Sequence, residues 1–128
     1  MEPFRGILYV FDSLRPDFMG CYNHDEDSTP EIDRVAQDGI ICENAYSQAI
    51  WTAPSAASIL TGLYPDTHKI YQFNHDLGNS HPFVTDRINN LEIPSAGFST
   101  TLLVSPERGF DRGFDEFYAL GGEGEGLR

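Results

Sequence analysis

Apolar and polar positions alternate in blocks along the chain, and each block has its own period. Ile7, Leu8, Tyr9, Val10 and Phe11 follow Gly6 without a polar break and stop at Asp12 and Ser13, as in a strand covered on both faces. Asp12 then falls at a strand's carboxyl end, the edge where open α/β sheets collect ligands. The stretch 23–28 is polar and turn-like. Thr29 followed by Pro30 signals a helix N-cap with proline at the first position. Ile32, Val35 and Ala36 give the helix Pro30 to Asp38 an apolar face, and Gly39 ends it. A second strand is expected at about Ile40 to Tyr46.

Thr52 is expected to cap a short helix through Ser58, Ile59 and Leu60, with Pro54 near its start and Gly62 at its far end. Tyr64 to Pro82 is rich in turn formers and reads as a surface excursion. Phe83 to Leu91 follows as a helix, stopped at about Glu92 ahead of Pro94, and Phe98 to Val104 as a third strand. Phe110, Phe114 and Phe117 recur at near-helical spacing and read as core. Residues 121–128 are glycine-rich and acidic, with little to bury, so the expected organisation is a partial domain over 1–120 and a tail or linker over 121–128. The strand and helix order predicts an α/β fold, a mainly parallel sheet flanked by helices. Three strands make a thin sheet, so the segment reads as one end of a larger domain.

Composition narrows the partners. The 128 residues hold twenty Asp and Glu against seven Arg and a single lysine, Lys69, for a net charge of −12. That balance opposes general nucleic-acid binding and anionic membrane surfaces, both of which require cationic side chains. No apolar run approaches the roughly 18 to 20 residues that span a bilayer, and a soluble, cytoplasmic protein is the expectation. Cys21 and Cys42 lie in no metal-like or redox-like spacing and read as two small buried residues. The acidic loop Asp25-Glu-Asp27 lacks the spacing of a calcium-binding loop.

The candidate chemistry rests on Asp12 and Thr52, each at the end of an element. A threonine hydroxyl is a poor nucleophile until a metal or base activates it. A helix N-terminus favours negative charge beside it, and Asp12 offers a hard oxygen ligand for a divalent cation. Taken alone, each has an ordinary explanation: Thr52 as an N-cap, Asp12 as a turn residue. Trp51 reads as a packing anchor for the helix that follows. His68 is a candidate substrate contact set against a structural or surface role, and His75 and His81 carry weaker signals.

The surrounding words add a resemblance. The runs 7–17, Gly20-Cys-Tyr22, 29–34, Asn44-Ala-Tyr-Ser-Gln48, 51–65 and 109–117 resemble, in order, segments of the sulfatase family within the alkaline phosphatase superfamily. The resemblance implies the N-terminal portion of that α/β sandwich, with Asp12 as a metal ligand. It also places Thr52 at the nucleophile position, in contact with the same divalent ion (Ca²⁺, Mg²⁺, Mn²⁺ or Zn²⁺), and makes the substrate a small-molecule sulfate or phosphate ester. His68 falls where the family often has histidine.

Two departures shape the expectation. Sulfatases carry Cys or Ser, converted to formylglycine, in a C/S-x-P-x-R motif, whereas this chain has Thr52-Ala-Pro-Ser-Ala56. Threonine is no substrate for that conversion, so no formylglycine is expected. A sulfated threonine has no second hydroxyl to expel sulfate, while a phosphothreonine can be released by in-line attack of water, which favours phosphate esters. Ala56 supplies no anion donor where the family has Arg, a loss typically worth about a hundredfold in rate. The family's remaining metal ligands lie further along the chain than this sequence extends. An isolated chain is therefore expected to be incomplete, completed by a separate C-terminal chain or else retained as an inactive remnant with weak anion binding.

The acidic surface also suggests salt adaptation. Screening of the −12 charge predicts more folded protein in molar salt than in dilute buffer; far-ultraviolet circular dichroism that is indifferent to salt would count against it.

Overall fold

The computed structural model describes residues 5–25 and 28–120. The expectations for Asp25-Glu-Asp27 and for the 121–128 tail therefore lie wholly or partly outside the described residues. The chain divides into two compact units, Met1–Tyr46 and Ser47–Arg128. Its elements are mixed, four helices and two strands among the described residues, in keeping with the α/β expectation.

In the first unit, helix α1 spans Pro30–Asp38, with the bounds that Thr29, Pro30 and Gly39 predict. Thr29 holds the cap position, but its hydroxyl serves a different partner. It donates to the Asp33 carboxylate at 3.1 Å and accepts from the Gly20 amide at 3.1 Å, while Asp33 accepts from the Cys21 amide at 2.8 Å. The first turn of α1 is thus tied to the short helical turn Gly20–Tyr22. A Cβ on Gly20 would overlap the Asp33 carboxylate. On the apolar face Ile32 and Ala36 are half-buried, whereas Val35 is exposed.

Three expectations in this unit are corrected. Residues 6–11 form no strand, and Ile7 to Phe11 are each more than half exposed. The rings of Tyr9 and Phe11 meet at 4.5 Å, as side chains two apart do on an extended backbone. Residues 40–46 likewise form no strand, with Ile40 and Tyr46 exposed. A strand needs a neighbour's backbone groups as well as a suitable side-chain pattern, and among the described residues only one pair of strands finds them. For the same reason Cys42 is exposed rather than buried, and Cys21 is only half-buried.

The second unit contains the core: Ala53, Ala57, Ile70, Leu77, Phe83 and Phe110, with Trp51, Ala56, Leu60, Leu103, Val104 and Phe114 packed against it. Helix α2 spans Thr52–Thr61 and ends at Gly62, which turns left-handed at φ 70° and donates its amide to the Ser58 carbonyl at 2.9 Å, the usual glycine stop. The expected surface excursion after Tyr64 turns three side chains inward. It holds the short helix α3, Pro65–His68; most of its positions are exposed, as expected, while His68, Ile70 and Leu77 are buried.

Helix α4, Val84–Asn89, begins where Asp86 accepts from the Phe83 amide at 3.0 Å and stops well ahead of Pro94. Strand β1 is Ala96–Ser99 and pairs in parallel with β2, Glu116–Ala119, in the register Ala96↔Glu116 to Ser99↔Ala119. The expected strand 98–104 is cut short by hydroxyls. Ser99 and Thr101 capture the amides of Thr101 and Leu103, local bonds that compete with a ladder.

Phe110, Phe114 and Phe117 do not form a helix, because Gly109 and Gly113 sit at φ 75° and 73°. Phe110 is core, and Phe117 packs over Gly97 so closely that a Cβ there would overlap its ring. Arg112 fastens this segment: it donates to the Gly78 and His81 carbonyls at 2.7 and 2.5 Å and lies 4.7 Å from the Phe83 ring centre.

Two phenylalanines test the placement of the core. Phe110→Ala, at a fully buried position, is expected to cost about 3–5 kcal/mol. Phe98→Ala, at a site 66% exposed, is expected to cost less than about 1 kcal/mol. Urea midpoints measure both, and equal losses would contradict the core assignment.

Candidate functional site

Helix α2 places Thr52 through a simple division of its faces. Ala53, Pro54, Ala57 and Ser58 are buried, whereas Thr52, Ser55, Ala56 and Ile59 are half-buried or exposed, as a 3.6-residue period requires of a helix with one face on a core. The structure makes Thr52 the first helical residue and Trp51 the cap, a one-residue shift from the expected capping role. Trp51 packs against the core as an anchor. Before the helix, the Ser47 and Ser55 hydroxyls lie 3.0 Å apart and the Ser55 amide donates to the Trp51 carbonyl at 3.3 Å. Ala56 lies one turn beyond Thr52, half-buried and packed against the core.

Asp12 lies in the first unit, exposed in a turn with Ser13 at φ 61°. The turn falls where the end of the apolar run predicts it, without the strand. Asp12 and Thr52 thus belong to different compact units. Among the described residues no group of three or more His, Cys, Asp or Glu side chains is close enough together to hold a metal ion. Asp12 is therefore at most one member of a ligand set that the described residues do not complete.

His68 is 4% exposed. Its Nδ1 accepts from the Ile70 amide at 3.1 Å, and its Nε2 lies 3.0 Å from the Ser58 hydroxyl oxygen. A ring nitrogen that accepts carries no proton, so the neutral ring holds its hydrogen on Nε2 and donates it to Ser58. Sequence reasoning identifies His68 as a candidate but misses Ser58. The available signal was Gly62 and Pro65, which stop one helix and start another and so reverse the chain onto α2. His75 is held within its own turn, beside the Tyr71 amide and the Lys69 carbonyl.

No helix among the described residues is long and apolar enough to cross a membrane. The family model described as Sulfatase matches residues 6–125. Iduronate 2-sulfatase of Homo sapiens is 41% identical over 68 residues, 53% of this chain and 12% of that protein. N-acetylgalactosamine-6-O-sulfatase of Bacteroides thetaiotaomicron is 42% identical over 60 residues, 46% of this chain and 12% of that protein. N-acetylglucosamine-6-O-sulfatase of the same organism is 31% identical over 114 residues, 82% of this chain and 19% of that protein. The chain spans 12% to 19% of the length of these relatives. No solved structure matches it significantly.

The His68 environment sets a pH dependence. Burial, and then the neighbouring His81, push its imidazole below the ordinary value, against a smaller opposing pull from the Pro54 carbonyl. Protonation would also set a new Nδ1 hydrogen against the Ile70 amide. Because the folded state holds this proton less tightly than the unfolded one, the stabilisation is complete above the ordinary value of about 6.5. It is lost as pH falls below that value and through the lowered one. Urea midpoints should fall from pH 7.5 to 5 more steeply for the wild type than for His68→Gln. Parallel profiles would contradict the assignment.

Proposed function

This chain belongs to the sulfatase family, and from that premise we propose that it supplies the nucleophile-bearing portion of a metal-dependent ester hydrolase. Thr52 is the attacking hydroxyl and Asp12 a ligand of the metal. The observation that carries this reading is the place of Thr52 at the outward start of α2, whose opposite face is held in the core. The aligned amide dipoles of the helix favour an anionic group beside Thr52, the charge of both sulfate and phosphate esters.

The divalent ion would supply Lewis acidity and charge neutralisation when bound. The chain's own contribution is the hydroxyl and its orientation. Small-molecule sulfate esters follow from the family, and the single hydroxyl of threonine favours phosphate among the chemically similar alternatives. Attack by Oγ1 on phosphorus breaks the ester bond to the leaving alcohol and leaves phosphothreonine. Water then attacks phosphorus and releases phosphate with the threonine restored. A sulfated threonine has no equivalent of the aldehyde collapse by which a formylglycine hydrate expels sulfate.

Ala56 limits the rate, because alanine offers neither a cation nor a side-chain hydrogen-bond donor at the position where the family has Arg. Ala56, together with a metal set that the described residues leave incomplete, favours a second reading: an inactive remnant with weak anion binding. The two readings part in an assay of aryl phosphate and aryl sulfate with Mn²⁺, Zn²⁺, Mg²⁺ or Ca²⁺. The enzyme reading predicts turnover that Thr52→Ala lowers at least about a hundredfold and Ala56→Arg raises by about the same order. Equal rates in wild type and Thr52→Ala would remove Thr52 from the mechanism.

A further inference from the structure

We propose that His68 is a positioning residue for Thr52, clamping the buried face of α2 through Ser58 and Pro54 so that the outward start of the helix is fixed. The proposal rests on the reading of Thr52 as the nucleophile. Its geometry is independent of that reading.

Pro54 and Ser58 stand one helical turn apart on the same side of α2, and both are buried. The His68 ring lies against both, with Nε2 at 3.0 Å from the Ser58 hydroxyl oxygen and the Pro54 carbonyl among its neighbours. Thr52 precedes Pro54 by two residues, about 200° around the axis and about 3 Å along it. A clamp at Pro54 therefore acts on the first turn, from the side opposite the nucleophile. That turn is held by few helix hydrogen bonds, beginning with the Ser55 amide to the Trp51 carbonyl at 3.3 Å, and helix ends fray.

The far side of the ring is fixed as well. The Ile70 amide donates to Nδ1 at 3.1 Å, so the segment leaving α3 selects the tautomer whose Nε2 hydrogen faces α2. The same arrangement excludes His68 as a base toward Ser58, because the nitrogen facing the serine already carries its proton. A proton relay to Ser58 is thus closed, and what remains for His68 is orientation.

The test uses the full chain. Ring ¹⁵N chemical shifts of the wild type at pH 7.5 should show an unprotonated, hydrogen-bonded Nδ1 and a protonated Nε2; the opposite tautomer would overturn the proposal without any substitution. Hydrogen exchange then compares amides of Ser55 to Ser58 with those of α4 in His68→Ala, His68→Gln and Ser58→Ala. His68→Ala and Ser58→Ala should each speed exchange in α2 about tenfold more than in α4. His68→Gln, whose amide nitrogen reaches Ser58 from a similar distance, should restore the wild-type rate to within about threefold. Equal acceleration in α2 and α4, or a glutamine variant no better than alanine, would reduce His68 to general stabilisation and overturn the clamp. Failure of the nucleophile reading is seen separately, as unchanged ester hydrolysis in Thr52→Ala.

Discussion

Ala53 and Ala57 have no exposed surface, and Pro54 and Ser58 beside them are buried as well; the attachment of this one face of α2 to the core governs what the second unit presents outward. A helix with a buried face has its opposite face fixed in rotation, and here Thr52 and Ser55, half-buried, lie away from the buried face. Small side chains let the helix approach Ile70, Phe83 and Phe110 closely. Tight packing resists rotation, because interiors at native density accommodate few alternative arrangements. His68 adds the polar part of this attachment, with both ring nitrogens engaged on defined partners.

The helices were legible in the sequence because their signals are local. Thr29 with Pro30, and Gly39 beyond, bracket α1 at its observed bounds, and Gly62 ends α2 where a left-handed residue is needed. The strands were not, because half of each strand's stabilisation belongs to another stretch of chain. The run Ile7 to Phe11 has the composition of a covered strand and no strand partner among the described residues, while Ala96–Ser99 forms one after finding Glu116–Ala119. The early end of β1 comes from hydroxyls at Ser99 and Thr101 that serve backbone groups locally, an effect weaker in the sequence than the apolar pattern around it.

The site was partly legible for the same reason. Thr52 could be placed from the helix signals, and Asp12 from the end of an apolar run. The inward position of His68 depends on long-range packing, and its composition neighbours, Pro65, Asp66 and Lys69, point toward the surface. Membership of the sulfatase family is the ground for the proposed reaction class. In the proposed reading, Thr52 turns the chemistry toward phosphorus, since a hydroxyl that cannot become a geminal diol would release its anion by a second in-line displacement.

In the proposed mechanism Thr52 takes the transferred group. The most direct measurement is acid quenching of the protein during exposure to an aryl phosphate and divalent metal, followed by mass spectrometry of the peptide containing residues 47–61. The expected result is a phosphoryl group on Thr52, present in the wild type and absent from Thr52→Ala. Hydrolysis without modification of that peptide, or with phosphate found on Ser55 or Ser58 instead, would contradict it.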